Sequence, residues 1–255
     1  MLLFGHRGAR AEAPENTVAG FRYARGIGLT AVEFDVRLTR DDQLVVVHDK
    51  TVDRTTEGTG AVADLTYQQI AGLDARGTFT DWPEPCRVPT LRETLEATAD
   101  FEVVAIELKA DRPPRLLRMI PKMVAEIRRQ HFAPRVVLTS FDITALALAR
   151  EVAPELPRAY IGNWDSAAAL TVARVLECRQ ADMQLSTASA EMVATVHAAG
   201  LRVVGWPCNT EAEFESLTEW GVDAVTTDVP STFLERSIAT RRPVRHRWRR
   251  SSPRW

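Results

Sequence analysis

Residues 31–49 read AVEFDVRLTRDDQLVVVHD, two strand-like runs separated only by TRDDQ. A parallel crossover needs about a dozen residues, so this gap predicts that the second run is an antiparallel or bent continuation of the first at the barrel mouth. Around this unit the chain alternates short β-branched runs with stretches of helical period. Further strands are expected at 2–5, 103–109, 135–141, 157–162, 182–185, 201–207 and 224–228. Counting 31–38 with 44–49 as one unit leaves about eight strand–helix repeats, the number that closes a (β/α)8 barrel. An open doubly wound sheet fits less well, because no Gly-rich phosphate turn follows the first strand. The fold expectation is therefore α/β, a (β/α)8 TIM barrel over residues 1–240. Residues 50–88, rich in Thr, Gly and Asp, interrupt the alternation and read as a small insertion subdomain after the His48 strand.

The 255 residues are 45% hydrophobic, enough for a sizeable core. Cys86, Cys178 and Cys208 have no metal-binding spacing and form no even disulfide set. With the first strand expected at residue 2 and apolar runs no longer than strands, the expectation is a cytoplasmic protein without a transmembrane segment. Net charge is -2, yet residues 241–255 hold seven arginines and no acid, which leaves residues 1–240 with 25 basic and 34 acidic groups. An acidic body argues against a nucleic-acid substrate, since phosphate backbones demand a basic track. The tail reads as a disordered, solvated end; peripheral attachment to an anionic membrane through its arginines and Trp248 and Trp255 is the other reading. No pattern fixes the oligomeric state.

Alternation along 31–38 puts Glu33, Asp35 and Arg37 on one strand face, with the carboxylate-bearing Cα atoms roughly 6.5 Å apart. Along 103–109 the same alternation groups Ala105, Glu107 and Lys109. Carboxylates turned into a barrel repel one another and resist desolvation unless a positive charge sits among them. Two solutions are open: ion pairs with Arg7, Arg37 and Lys109, or a hard divalent cation, calcium or magnesium with manganese as a further choice. Lys109 is also placed to hold an anionic ligand. Of the five histidines only His6 and His48 close an apolar strand, and beside an acid cluster they suit proton transfer near neutral pH.

These stretches, taken together, resemble the glycerophosphodiester phosphodiesterase family. The resemblance rests on GHRG (5–8), PENT (14–17), EFDVRLTRDDQLVVVHD (33–49), DRTTEGTG (53–60), PTLRETL (89–95), IELK (106–109), SF (140–141) and GVDAVTTDVP (221–230). It runs from about residue 5 to 235 and implies the barrel with its small extra subdomain. By position it implies Glu33, Asp35 and Glu107 as ligands of one divalent cation, His6 and His48 as acid–base catalysts, and Arg7 and Lys109 as phosphate ligands. Asn16 is implied to orient a neighbour, and Trp206 to wall the glycerol side. GWPCN (205–209) departs from the family's usual Trp-Thr-Val-Asn. The implied substrate is a small glycerophosphodiester such as glycerophosphocholine or glycerophosphoethanolamine. A lysophospholipase D-like enzyme and a non-catalytic barrel that binds phosphorylated ligands are the competing readings.

Overall fold

The computed structural model describes residues 1–239, so the expectation for the 241–255 tail falls outside the described residues. The strands are β1 (Leu2–Gly5), β2 (Ala31–Leu38), β3 (Leu44–Val46), β4 (Val103–Leu108), β5 (Val136–Ser140), β6 (Arg158–Gly162), β7 (Gln180–Gln184), β8 (Arg202–Trp206) and β9 (Ala224–Thr227). The helices are α1 (Val18–Gly26), α2 (Tyr67–Ala71), α3 (Leu91–Ala97), α4 (Pro113–Arg129), α5 (Ile143–Val152), α6 (Ala167–Val175), α7 (Ala190–Ala198), α8 (Glu211–Trp220) and α9 (Pro230–Ala239).

Eight strands are parallel and lie in the order β1-β9-β8-β7-β6-β5-β4-β2, and β1 pairs with β2 to close the ring. The chain is thus a (β/α)8 barrel. Of the two arrangements the short gap allowed, the chain takes the antiparallel one: β3 runs back on β2, with Val36 opposite Val46. It is shorter than the sequence predicts: Val46 is its last residue, and His48 lies two positions beyond, where the chain bends into the insertion. The ladder stops beside the middle of β2, the Val47 amide making a last bond to the Asp35 carbonyl at 3.1 Å, while β2 itself continues back to Ala31 and Val32, whose partners are Phe4 and Gly5 of β1.

Period-two alternation divides the strands between two environments. Val32, Phe34, Val36, Val104, Ile106 and Leu108 face the helices in the main apolar core. The opposite faces point into the barrel, where Phe4, Ala31, Val103, Ala105, Val137, Ala159, Val204 and Ala224 form a separate apolar layer. Above that layer the same faces carry Glu33, Asp35 and Glu107, and the register sets Asp35 beside Glu107. The outer helices fit their sequences. In α4 Leu116, Met119, Ile120, Met123, Val124 and Ile127 recur at helical spacing on the buried face, and proline occupies its first turn. Thr90 with Glu93 and Thr210 with Glu213 form reciprocal capping boxes on α3 and α8. The insertion carries α2 and a small core of its own that includes Val52, Val62, Ile70, Ala75 and Val88.

Asp182 of β7 lies between Ala181 and Met183, both in the core under the helices, so its side chain takes the barrel interior. Gln180 Nε2 donates to it at 2.7 Å. Burial raises its carboxyl from 3.8 to about 7 despite that bond. The folded form therefore binds its proton more tightly than the unfolded chain, and stability falls as pH rises from about 4 to about 7. Asp182→Asn is expected to match the wild-type melting temperature near pH 4 and exceed it by about 5 °C or more at pH 8, as read by thermal denaturation across pH.

Candidate active site

The carboxyl ends of β1, β2 and β4 bring the predicted acids and cations together. Glu33, Asp35 and Glu107 each offer a carboxylate oxygen, and these oxygens lie within 4.8 Å of one another. Asp35 is fully buried. Its Oδ2 accepts from Asn16 Nδ2 at 2.8 Å and lies 3.3 Å from Arg7 Nε, while its Oδ1 lies 3.3 Å from Lys109 Nζ. Lys109 also pairs with Glu107 at 2.6 Å. Of the three cations that the ion-pair reading called on, Arg7 and Lys109 enter the cluster. Arg37 does not, its Nε donating instead to the His48 carbonyl at 2.8 Å.

Two cations against three carboxylates leave a negative charge uncompensated, and the proton affinities register it. Burial tends to raise Asp35, but Lys109 and Arg7 outweigh it and hold the carboxyl well below the usual range. Burial, with repulsion from Asp35 and Glu107, lifts Glu33 well above its ordinary value. Burial and Asp35 push Glu107 up to about 7 against the pull of Lys109. Asp35 Oδ1, although buried, accepts no hydrogen bond among the described residues. Three converging hard oxygen donors, excess negative charge and an unsatisfied buried oxygen fit a divalent cation.

The loop after β1 is bent to serve this cluster. Arg7 and Asn16 both take left-handed backbone conformations, at φ 52° and 55°, uncommon for residues with a side chain. In return the Arg7 amide donates to Glu33 Oε2 at 3.1 Å, and the Asn16 amide bonds back to the Arg7 carbonyl at 3.0 Å. Gly5 is obligatory, because a Cβ there would meet the Gly8 carbonyl oxygen at 2.0 Å.

Each predicted histidine has a carboxylate on Nδ1. Asp228 Oδ1 lies 2.5 Å from His6 Nδ1, and Asp49 Oδ1 lies 2.6 Å from His48 Nδ1. Burial outweighs these carboxylates and lowers both imidazoles below their ordinary pKa. His6 Nε2 turns toward the acids, 3.9 Å from Glu33 Oε2. Asp228 is itself held by Asn209, whose Nδ2 donates to Oδ2 at 2.9 Å. Asp49 binds Arg54 of the insertion at 2.6 Å, and Arg54 also grips Glu15, the partner of Arg7. Trp206 stands at the end of β8, packed edge-to-face on Phe141 after β5, with ring centroids 5.8 Å apart.

The sequence reading assigned no role to Asp228, Asp49, Glu15, Asn209 or Arg54. Asp228 and Asp49 carried a signal, since AVTTD and LVVVHD both end a strand-like run on an acid, as LLFGH ends one on a histidine. Arg54 gave none, because only the folded insertion brings it to Glu15.

Residues 6–232 match the profile of the Glycerophosphoryl diester phosphodiesterase family. The chain belongs to this family. Its members hydrolyse glycerophosphodiesters, and this chain is an enzyme of that class. The chain is 32% identical over 238 residues to the glycerophosphodiester phosphodiesterase of Caldanaerobacter subterraneus, covering 91% of this chain and 96% of the relative. It is 30% identical over 251 residues to that of Bacillus subtilis, covering 91% and 85%. Among solved structures, an Oleispira antarctica phosphodiesterase in complex with the product sn-glycerol-3-phosphate superposes with a TM-score of 0.85 at 27% identity, covering 94% of this chain and 97% of that one. The Agrobacterium tumefaciens glycerophosphodiester phosphodiesterase gives a TM-score of 0.79 at 28% identity, covering 92% and 99%. No described helix is long and apolar enough to cross a membrane.

Calcium, magnesium or manganese is expected to raise the melting temperature of chelator-treated protein at pH 8. The gain shrinks as pH falls through 7, because protons then compete for Glu107 and Glu33. Differential scanning fluorimetry, with Glu107→Gln as the control that loses most of the gain, checks this.

Proposed function

We propose that the chain hydrolyses soluble glycerophosphodiesters, such as glycerophosphocholine or glycerophosphoethanolamine, to glycerol 3-phosphate and an alcohol by metal-assisted histidine acid–base catalysis. The observation that carries this reading is the pair of histidines flanking one acidic triad, each with Nδ1 held by a carboxylate. Such a bond fixes the tautomer and leaves Nε2 for proton transfer. The product complex of the Oleispira relative supports the chemical class of substrate.

Glu33, Asp35 and Glu107 hold one divalent cation, calcium or magnesium with manganese as a further choice, which when bound supplies Lewis-acid polarisation of a phosphoryl oxygen. Arg7 and Lys109 bind the remaining phosphate oxygens and stabilise the charge of an in-line displacement. His6 accepts the proton of the attacking hydroxyl at Nε2. That hydroxyl belongs to water or to the glycerol 2-position; in the second case a cyclic phosphate forms and water opens it. His48 donates a proton to the departing alcohol. Asp228 and Asp49 orient the two rings, Asn16 orients Asp35, and Trp206 walls the glycerol side. The three buried, free cysteines suit a reducing cytoplasmic setting.

Glycerol 3-phosphate release from glycerophosphocholine is expected to require a divalent cation. His6→Ala should lower kcat by about 100-fold or more, the scale of general base catalysis. His48→Ala should lose a similar factor on glycerophosphocholine and far less on an activated nitrophenyl ester, whose leaving group needs no proton. Equal losses on the two substrates would remove His48 from the role of acid.

A further inference from the structure

Beside the acidic triad lies a cavity of about 410 Å3 that none of the roles above uses. Its walls come from the end of β2, the loop between β4 and α4, and the insertion. Arg37, Lys50, Arg112 and Arg115 line it, with Asp111 as its one acid. Asp111 is already neutralised, accepting from Arg115 Nε at 2.7 Å. Arg37, Lys50 and Arg112 have no carboxylate within 4.0 Å among the described residues, although residues 1–240 carry 34 acids. Asp35, Glu107, Asp111 and Asp49 act on Arg37 only at longer range, Lys50 and Arg112 stand exposed on the same walls, and an anion in the cavity gains from all three cations.

The position of the cavity says which anion. Each cation stands two or three residues beyond a site residue: Arg37 after Asp35, Lys50 after His48 and Arg112 after Lys109. Arg37 is half-buried and tied by Nε to the His48 carbonyl, so its terminal nitrogens are anchored beside the histidine that protonates the departing alcohol. Trp206, which walls the glycerol side, belongs to β8 and takes no part in the cavity. We infer that this cavity is a subsite for the leaving alcohol and that it selects glycerophosphodiesters whose alcohol bears a phosphomonoester, a phosphorylated polyol. A phosphomonoester carries close to two charges at neutral pH and three acceptor oxygens, which suits two guanidinium forks and an ammonium better than a lone carboxylate does. The inference rests on the phosphodiesterase reading and adds the preferred class of alcohol.

The test compares kcat/KM for glycerophosphoinositol 4-phosphate with that for glycerophosphoinositol, substrates that differ by one phosphate. The wild type is expected to prefer the phosphorylated substrate by about tenfold or more, mainly through KM, with the ratio falling as salt is raised. In the Lys50→Ala/Arg112→Ala variant, which alters two exposed side chains and spares Arg37, the ratio should fall to about one. Cleavage of both substrates with no preference, or a preference unchanged in the variant, overturns the subsite and leaves the phosphodiesterase reading standing. Glycerophosphocholine is the control: if the wild type cleaves it but neither inositol diester, the subsite is overturned. If it cleaves none of the three, the phosphodiesterase reading is what has failed, and calorimetric titration with myo-inositol 4-phosphate decides the cavity: binding lost in the variant keeps it as an anion site, and absence of binding removes it.

Discussion

A carboxylate without access to water anchors the whole mouth of this barrel. Asp35 is fully buried and ionised, a combination that costs several kcal/mol unless opposite charges and donors surround it. Arg7, Asn16 and Lys109 meet that need, and they arrive from the loop after β1, the turn before α1 and the end of β4. One side chain thus brings three separate segments to one point. The neighbouring acids complete the cluster because the register sets Glu107 beside Asp35 and strand alternation turns Glu33 to the same interior face.

The same demand explains the backbone of the first loop. Two side-chain-bearing residues in left-handed conformations cost of order 1 kcal/mol or more each, and such strain persists only where the surroundings over-determine it. Here the strained residues donate directly to the acids, Arg7 through its amide to Glu33 and Asn16 through its side chain to Asp35. The insertion acts on the same point from outside. Arg54 bridges Asp49 and Glu15, so one exposed guanidinium couples the orientation of His48 to that of Arg7. The insertion thus serves as a brace between the two side chains.

Most of the barrel was legible in the sequence, because strands buried on both faces read as continuous β-branched runs and crossover helices as periodic ones. The gap of TRDDQ was decisive, since chain length alone forbids a crossover there. Glu33, Asp35 and Glu107 were legible because alternation fixes the face each occupies. What escaped were relations without a period. Nothing local tells that Arg37 turns to a carbonyl while Lys109 pairs with acids, or that Asp228 meets His6 from 222 positions away. The end of β3 was overextended for a related reason: LVVVHD is uniformly strand-like, and nothing local tells that β1 takes the first residues of β2 and that the chain leaves the ladder after Val46.

The bond between His6 and Asp228 ties together the ends of β1 and β9, the first and last strands in chain order, which pair side by side in the barrel. During synthesis His6 leaves the ribosome 222 residues before its partner does. Contacts of such sequence separation form late in folding. Partly made or partly folded chains therefore lack the carboxylate that fixes the His6 ring.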